Sequence, residues 1–131
     1  MANVIANTAK SIMTNRMLGA GTEPKQAGWG TGAGTSAVTD TTLFVETALN
    51  LSTTSGTRVA ATTSQQTVTN ANDTYRSVAT LTAAAAGSPT NYGQFDNATI
   101  GSGNLFLKAD FAAIALNLGD AVTFTANVQF S

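Results

Sequence analysis

The sequence predicts an all-β chain: a single β-sandwich or jelly-roll-like domain of short antiparallel strands, with a short N-terminal helix. Three observations lead there. Thr is abundant among half-polar stretches, and clusters of Gly, Asn, Asp and Ser recur at roughly ten-residue spacing, which suits short strands joined by turns. Val122, Phe124, Ala126, Val128 and Phe130 alternate strictly with Thr123, Thr125, Asn127 and Gln129. Only one segment, near the start, has helical spacing.

That segment is Val4 to Leu18. Ile5, Ala9, Ile12, Met13 and Arg16 recur at intervals of three and four, opposite Asn7, Lys10, Ser11 and Asn15, and Gly19 and Gly21 follow as stop signals. The helix either packs on its own domain or forms an arm that docks on a neighbour. Residues 1–24 are accordingly set apart as a helix with a glycine-ended arm, and residues 25–131 as the sandwich.

The stretch Glu23 to Asp40 carries Gly28, Gly30, Gly32 and Gly34 around the single Trp, Trp29. Neither GxGxxG nor GxxxxGK[ST] is present, so a nucleotide loop is not expected. The glycines suit a loop or irregular edge strand that another backbone approaches closely, with Trp29 as core plug or interface anchor. Periodicity leaves Thr41 to Leu51 open between strand and helical turn, and Ser52 to Gly56 reads as a turn. Thr57 to Thr69 and Thr74 to Thr82 read as strands joined by a turn at Asn70–Asp73. Ala83 to Pro89 is a low-complexity connection. Leu105 to Phe111 is apolar on both faces, as in a strand between two layers.

Composition excludes much chemistry. With no His and no Cys, neither a Ser-His-Asp nor a Cys-His triad can be built, the usual zinc sites lack ligands, and no disulfide can form. Six Lys and Arg against seven Asp and Glu give a formal net charge of −1. The basic residues are scattered and read as solvated surface charge, so no nucleic-acid partner is expected. No segment is apolar enough to span a bilayer, and no signal-peptide pattern is evident, so no membrane association is expected. The carboxylates sit beside turn residues, where Asp bonds local backbone more readily than it forms a hydrolase pair. Neither an enzyme nor a cofactor is therefore expected, and no metal, with a cation site at Asn70, Asn72 and Asp73 lacking EF-hand spacing.

Several stretches carry a resemblance: Lys25-Gln26-Ala27-Gly28-Trp29-Gly30-Thr31-Gly32, Ala37-Val38-Thr39-Asp40-Thr41, Gly103 to Phe111, Leu116-Asn117-Leu118-Gly119-Asp120, Phe124-Thr125 and Val128-Gln129-Phe130. Glu46, Thr57-Arg58-Val59 and Asn72-Asp73-Thr74-Tyr75 fit the same pattern. Together they resemble small structural proteins of tailed-bacteriophage virions, some labelled tail-fibre proteins and others capsid decoration, or cement, proteins. The resemblance implies no catalytic residues. It implies a chain made in the host cytoplasm that binds the major capsid protein on the outer surface of the head and braces neighbouring capsid subunits. The alternative it leaves is a tail-fibre or receptor-binding component, presenting Ala83 to Pro89 and Gln94 to Asn104 to a surface glycan. A homo-oligomer is expected, a trimer ahead of a dimer. The contact surface expected on the helix and the glycine segment comprises Ile5, Ile12, Met13, Arg16, Lys25 and Trp29.

Overall fold

The computed structural model describes residues 2–47 and 57–131. The order along the chain is β1 (Asn3–Ile5), α1 (Ala9–Met17), β2 (Gln26–Gly30), β3 (Val59–Ala60), β4 (Thr62–Gln66), β5 (Thr74–Thr82), β6 (Asn91–Phe95), β7 (Leu105–Asp110) and β8 (Ala121–Gln129). The strands form two antiparallel sheets, one ordered β1-β7-β6-β2-β3 and the other β4-β5-β8. The expected all-β sandwich with one short helix is present.

The core lies between the sheets. The strict alternation of β8 turns Val122, Phe124, Ala126 and Val128 inward, where the Phe124 ring stacks on Tyr92 at 4.3 Å and meets Trp29 edge-on at 6.3 Å. Strand β5 turns Tyr75, Ser77, Ala79 and Leu81 the same way, and Leu81 is wholly buried. The β4–β5 hairpin forms as read, around a loop that includes Asn70–Asp73. The stretch from Thr57 is not one strand. It pairs with β2 at Val59–Ala60, then changes sheet at Ala61, whose N–H bonds to the Lys25 carbonyl, and continues as β4.

The helix starts later than its periodicity indicates. Asn3–Ile5 pair with β7 as an edge strand, and backbone pairing outweighs the helical spacing of so few residues. This strand ties the N-terminal segment into the larger sheet. Helix α1 then packs on β7 through Ala9 and Ile12, and Thr8 donates its hydroxyl to the Leu105 carbonyl at 2.5 Å.

The glycine stretch differs most from expectation. Gln26–Gly30 is an inner strand, bonded to β6 on one side and β3 on the other, and not an edge. Trp29 is fully buried among the inward side chains, so it is a core plug and not an exposed anchor. The outward positions are small for a reason: a Cβ at Gly30 would sit 2.2 Å from the Phe44 carbonyl oxygen, and one at Gly93 2.7 Å from Leu43. The segment 31–47 lies flat across this face as a third layer. Asn91 on β6 holds it like a short ladder, accepting from Phe44 N–H at 3.0 Å and donating to the Phe44 carbonyl at 3.1 Å. Asp110 accepts the Ser36 N–H at 2.7 Å. The open reading of 41–51 resolves for 41–47, which form turns with a single bridge from Glu46 to Gly30. The remainder of that stretch, with the turn at Ser52 to Gly56, lies outside the described residues.

Between β6 and β7 the register shifts after Gln94, which faces Leu107, while Phe95 faces Leu105. Phe106 is the extra residue. A bulge of this kind lets two successive side chains point the same way. Phe106 and Leu107 both join the inter-sheet core, and Leu105 turns out to meet Leu43, Phe95 and Ala6 under the covering segment.

Candidate partner-docking surface

At the end of the sandwich beside α1, the side chains leave an apolar cleft of about 270 Å³. Ile12 forms its floor with Phe106 and Tyr75, and Met13, Met17 and Phe130 form its rim. The rim is open to solvent: Met17 is 86% exposed and Phe130 51%, and Leu18 beside it is 82% exposed. A contiguous apolar rim on a small domain is the kind of surface that a partner covers.

The sequence explains why α1 offers this surface. With Ala9 and Ile12 turned to β7, Met13 falls at the margin and Met17 and Leu18 face outward. Apolar residues therefore occupy more of the helix circumference than its own core uses. The helix ends at Gly19, at φ +75°, with the Ala20 N–H bonded back to the Asn15 carbonyl at 2.8 Å. Arg16 is exposed and donates to the Gly21 carbonyl at 3.1 Å, so its side chain braces this turn from the helix end where a cation is favoured.

Glu23 forms the polar wall of the cleft. It accepts from Thr63 at 2.5 Å and from the Tyr75 hydroxyl at 3.2 Å, and lies 3.4 Å from Lys25. Burial pushes its pKa up, but the bonds from Thr63 and Lys25, the Lys25 charge and the Tyr75 bond together hold it below the usual carboxylate value. Burial first, and then the Glu23 charge, push the Tyr75 hydroxyl well above its ordinary range. Tyr75 is therefore a neutral donor at any physiological pH.

The expected contact residues thus separate. Ile12, Met13 and Arg16 line the cleft together, with Lys25 bound to its wall through Glu23. Ile5 is 43% exposed but lies on β1, beside a different groove. Trp29 is in the core. Sequence reasoning missed Met17 and Phe130. Their distance along the chain hid the patch, although Phe130 ends the alternating run and Met17 follows Met13 by one helical turn.

Two residues read as solvated charges are buried. Arg58 is 5% exposed and makes a two-pronged pair with Glu46 at 2.7 and 2.9 Å, while donating to the Asn97 and Ser102 carbonyls. Its guanidinium lies 3.4 Å above the Phe95 ring centre. Lys108 is also buried, against Asp40 and the Thr42 carbonyl. Both staple loops to sheets. Asp40, Asp73, Asp96 and Asp120 behave as turn residues and accept backbone N–H groups close in sequence, whereas Asp110, on β7, accepts the N–H of distant Ser36. In particular, both Asp73 oxygens are taken by the N–H groups of Val68, Thr69 and Asn70. Among the described residues no group of three or more acidic side chains could hold a metal ion, and no helix is long and apolar enough to cross a membrane.

No family model, no curated protein and no solved structure matches the chain.

Proposed function

We propose that this chain is a bacteriophage capsid decoration protein, which binds the outer surface of the head through the cleft beside α1 and braces contacts between major capsid subunits. The observation that carries the reading is the exposed apolar rim of Met13, Met17 and Phe130, set on a sandwich with little charge. Such a protein needs no cofactor. It needs a surface that remains soluble alone and gains free energy when covered, and a lattice that repeats a modest contact many times. The residue resemblance described above points the same way. The account includes assembly of the chain as a homo-oligomer, most simply a trimer.

The test uses heads prepared without this chain. Wild-type protein is expected to co-sediment with them saturably. Met17→Glu and Phe130→Ser change exposed positions, so each is expected to alter folding stability by no more than about 0.5 kcal/mol. Each is expected to weaken head binding at least tenfold, equivalent to about 1.4 kcal/mol per contact. Undiminished binding by both variants would overturn the assignment of this surface, and binding of the wild type to host cells but not to heads would favour the receptor-binding alternative.

A further inference from the structure

The two sheets differ in width, and the difference falls at one place. Strand β8 lies over β6, where Phe124 stacks on Tyr92. Beyond it the larger sheet continues through β7, whose Phe106 and Leu107 still reach the inter-sheet core, and then β1, and among the described residues no strand of the smaller sheet lies past β8. A groove of about 350 Å³ runs along this overhang. Ile5, Leu107 and Ala109 form one wall, and Phe124, Ala126 and Val128 the other.

The same groove is bordered by an open strand edge. Two bonds fix the phase of the β5–β8 ladder: the Ala83 N–H to the Asp120 carbonyl, and the Phe130 N–H to the Asp73 carbonyl. In an antiparallel pair bonded residues alternate, so Val122, Phe124, Ala126 and Val128 direct their backbone groups at β5. Ala121, Thr123, Thr125, Asn127 and Gln129 direct theirs outward, and among the described residues their backbone groups have no partner in any turn or loop. The edges of the larger sheet are blunted by being short, with three residues in β1 and two in β3. Strand β8 has nine residues, with no charge and no Pro or Gly. Long uncharged edges of this kind template a further strand.

We propose that this edge and groove receive one extended, uncharged strand from a partner protein, which joins the smaller sheet beside β8 and lays alternate apolar side chains over Ile5 and Leu107. Backbone bonds would supply the affinity and the groove the choice of side chains. A partner's strand fits better than β8 of a second copy. Two copies paired through β8 would bring their overhanging β7 and β1 strands into the same layer. The inference is independent of the capsid reading and of the α1 cleft.

The experiment takes the full chain and a fluorescent, end-blocked peptide with the sequence of β8, AVTFTANVQ, as a generic uncharged strand. Saturable binding is expected, with a Kd below about 1 mM. It is expected to slow amide hydrogen exchange at Thr123, Thr125 and Asn127. Methylating alternate peptide nitrogens is expected to weaken binding at least tenfold, a comparison that leaves the protein unaltered. Thr125→Pro, which removes an outward N–H and no ladder bond, is expected to do the same with the fold retained. Absent saturation, indifference to methylation, or protection elsewhere would each overturn the proposal. Protection of the same amides in the chain alone, rising with its own concentration, would identify the occupant as a second copy and overturn it in this form.

Discussion

The Lys108 ammonium lies 2.8 Å from an Asp40 carboxylate oxygen and 3.2 Å from the centre of the Phe44 ring, with its side chain wholly removed from solvent. A strand residue of the larger sheet thereby clips the covering segment 31–47 in place. Burial opposes the Asp40 charge, but bonds from Lys108 and the Ala37 N–H, and the Lys108 charge, hold its pKa below the ordinary value.

The clip is asymmetric, and mutation is expected to show it. Asp40→Ala leaves a buried ammonium with only a carbonyl and a ring, and is expected to cost about 3 kcal/mol. Lys108→Met leaves a carboxylate that can still reach water, and is expected to cost about 1 kcal/mol. Urea unfolding of the two variants checks this, and equal losses would contradict it.

Acid is expected to destabilise the fold, and Asp73 is one identifiable cause. The Asn70 N–H, with those of Val68 and Thr69 and the Gln129 side chain, holds its pKa far below the unfolded value of 3.8 against the opposing effect of burial. A lowered folded pKa gives stability that is complete above the unfolded pKa and is lost as pH falls from there toward the folded one. The Tm is expected to decline below about pH 4, and the decline is expected to be shallower in Asp73→Asn. The same slope in both proteins would remove Asp73 from the explanation.

Trp29 makes core contacts, so Trp29→Ala is expected to lose about 3–5 kcal/mol. Trp29→Phe is expected to lose much less, because Phe keeps most of the ring and removes an indole N–H that is buried without a partner. Thermal unfolding of both distinguishes this from a surface role, in which neither change would alter Tm.

Gly30→Ala is expected to displace segment 31–47, since the new methyl would meet the backbone of Phe44. Gly34→Ala would first meet the end of the Phe44 ring, a side chain and not backbone. The first is expected to cost about 2–3 kcal/mol and the second less. Proteolysis within 31–47 should rise in the first variant alone.

What could be read in the sequence was local. Period-two alternation placed β5 and β8 and their inward faces, because one buried face leaves a repeating mark. Asn70–Asp73 marked the hairpin because its residues bond their own backbone. The rest depended on long-range partners. Asn91–Phe95 is buried on both faces, so it lacks alternation, and its polar Asn91 and Gln94 find partners that their own stretch does not announce: Asn91 bonds the Phe44 backbone, and the Gln94 amide nitrogen bonds the Ser77 hydroxyl as well as that of nearby Tyr92. Arg58 and Lys108 gave no sign that their partners lay in other loops. Gly28 to Gly34 showed that a backbone comes close, but not that the approaching segment would be the chain's own residues 31–47.

The most direct test of the decoration account is the copy number of this chain relative to the major capsid protein in purified virions. The account expects a ratio near one, or a fixed large fraction of it, as a lattice-bound protein requires. A few copies per virion, in multiples of three or six, would contradict it and place the chain on the tail.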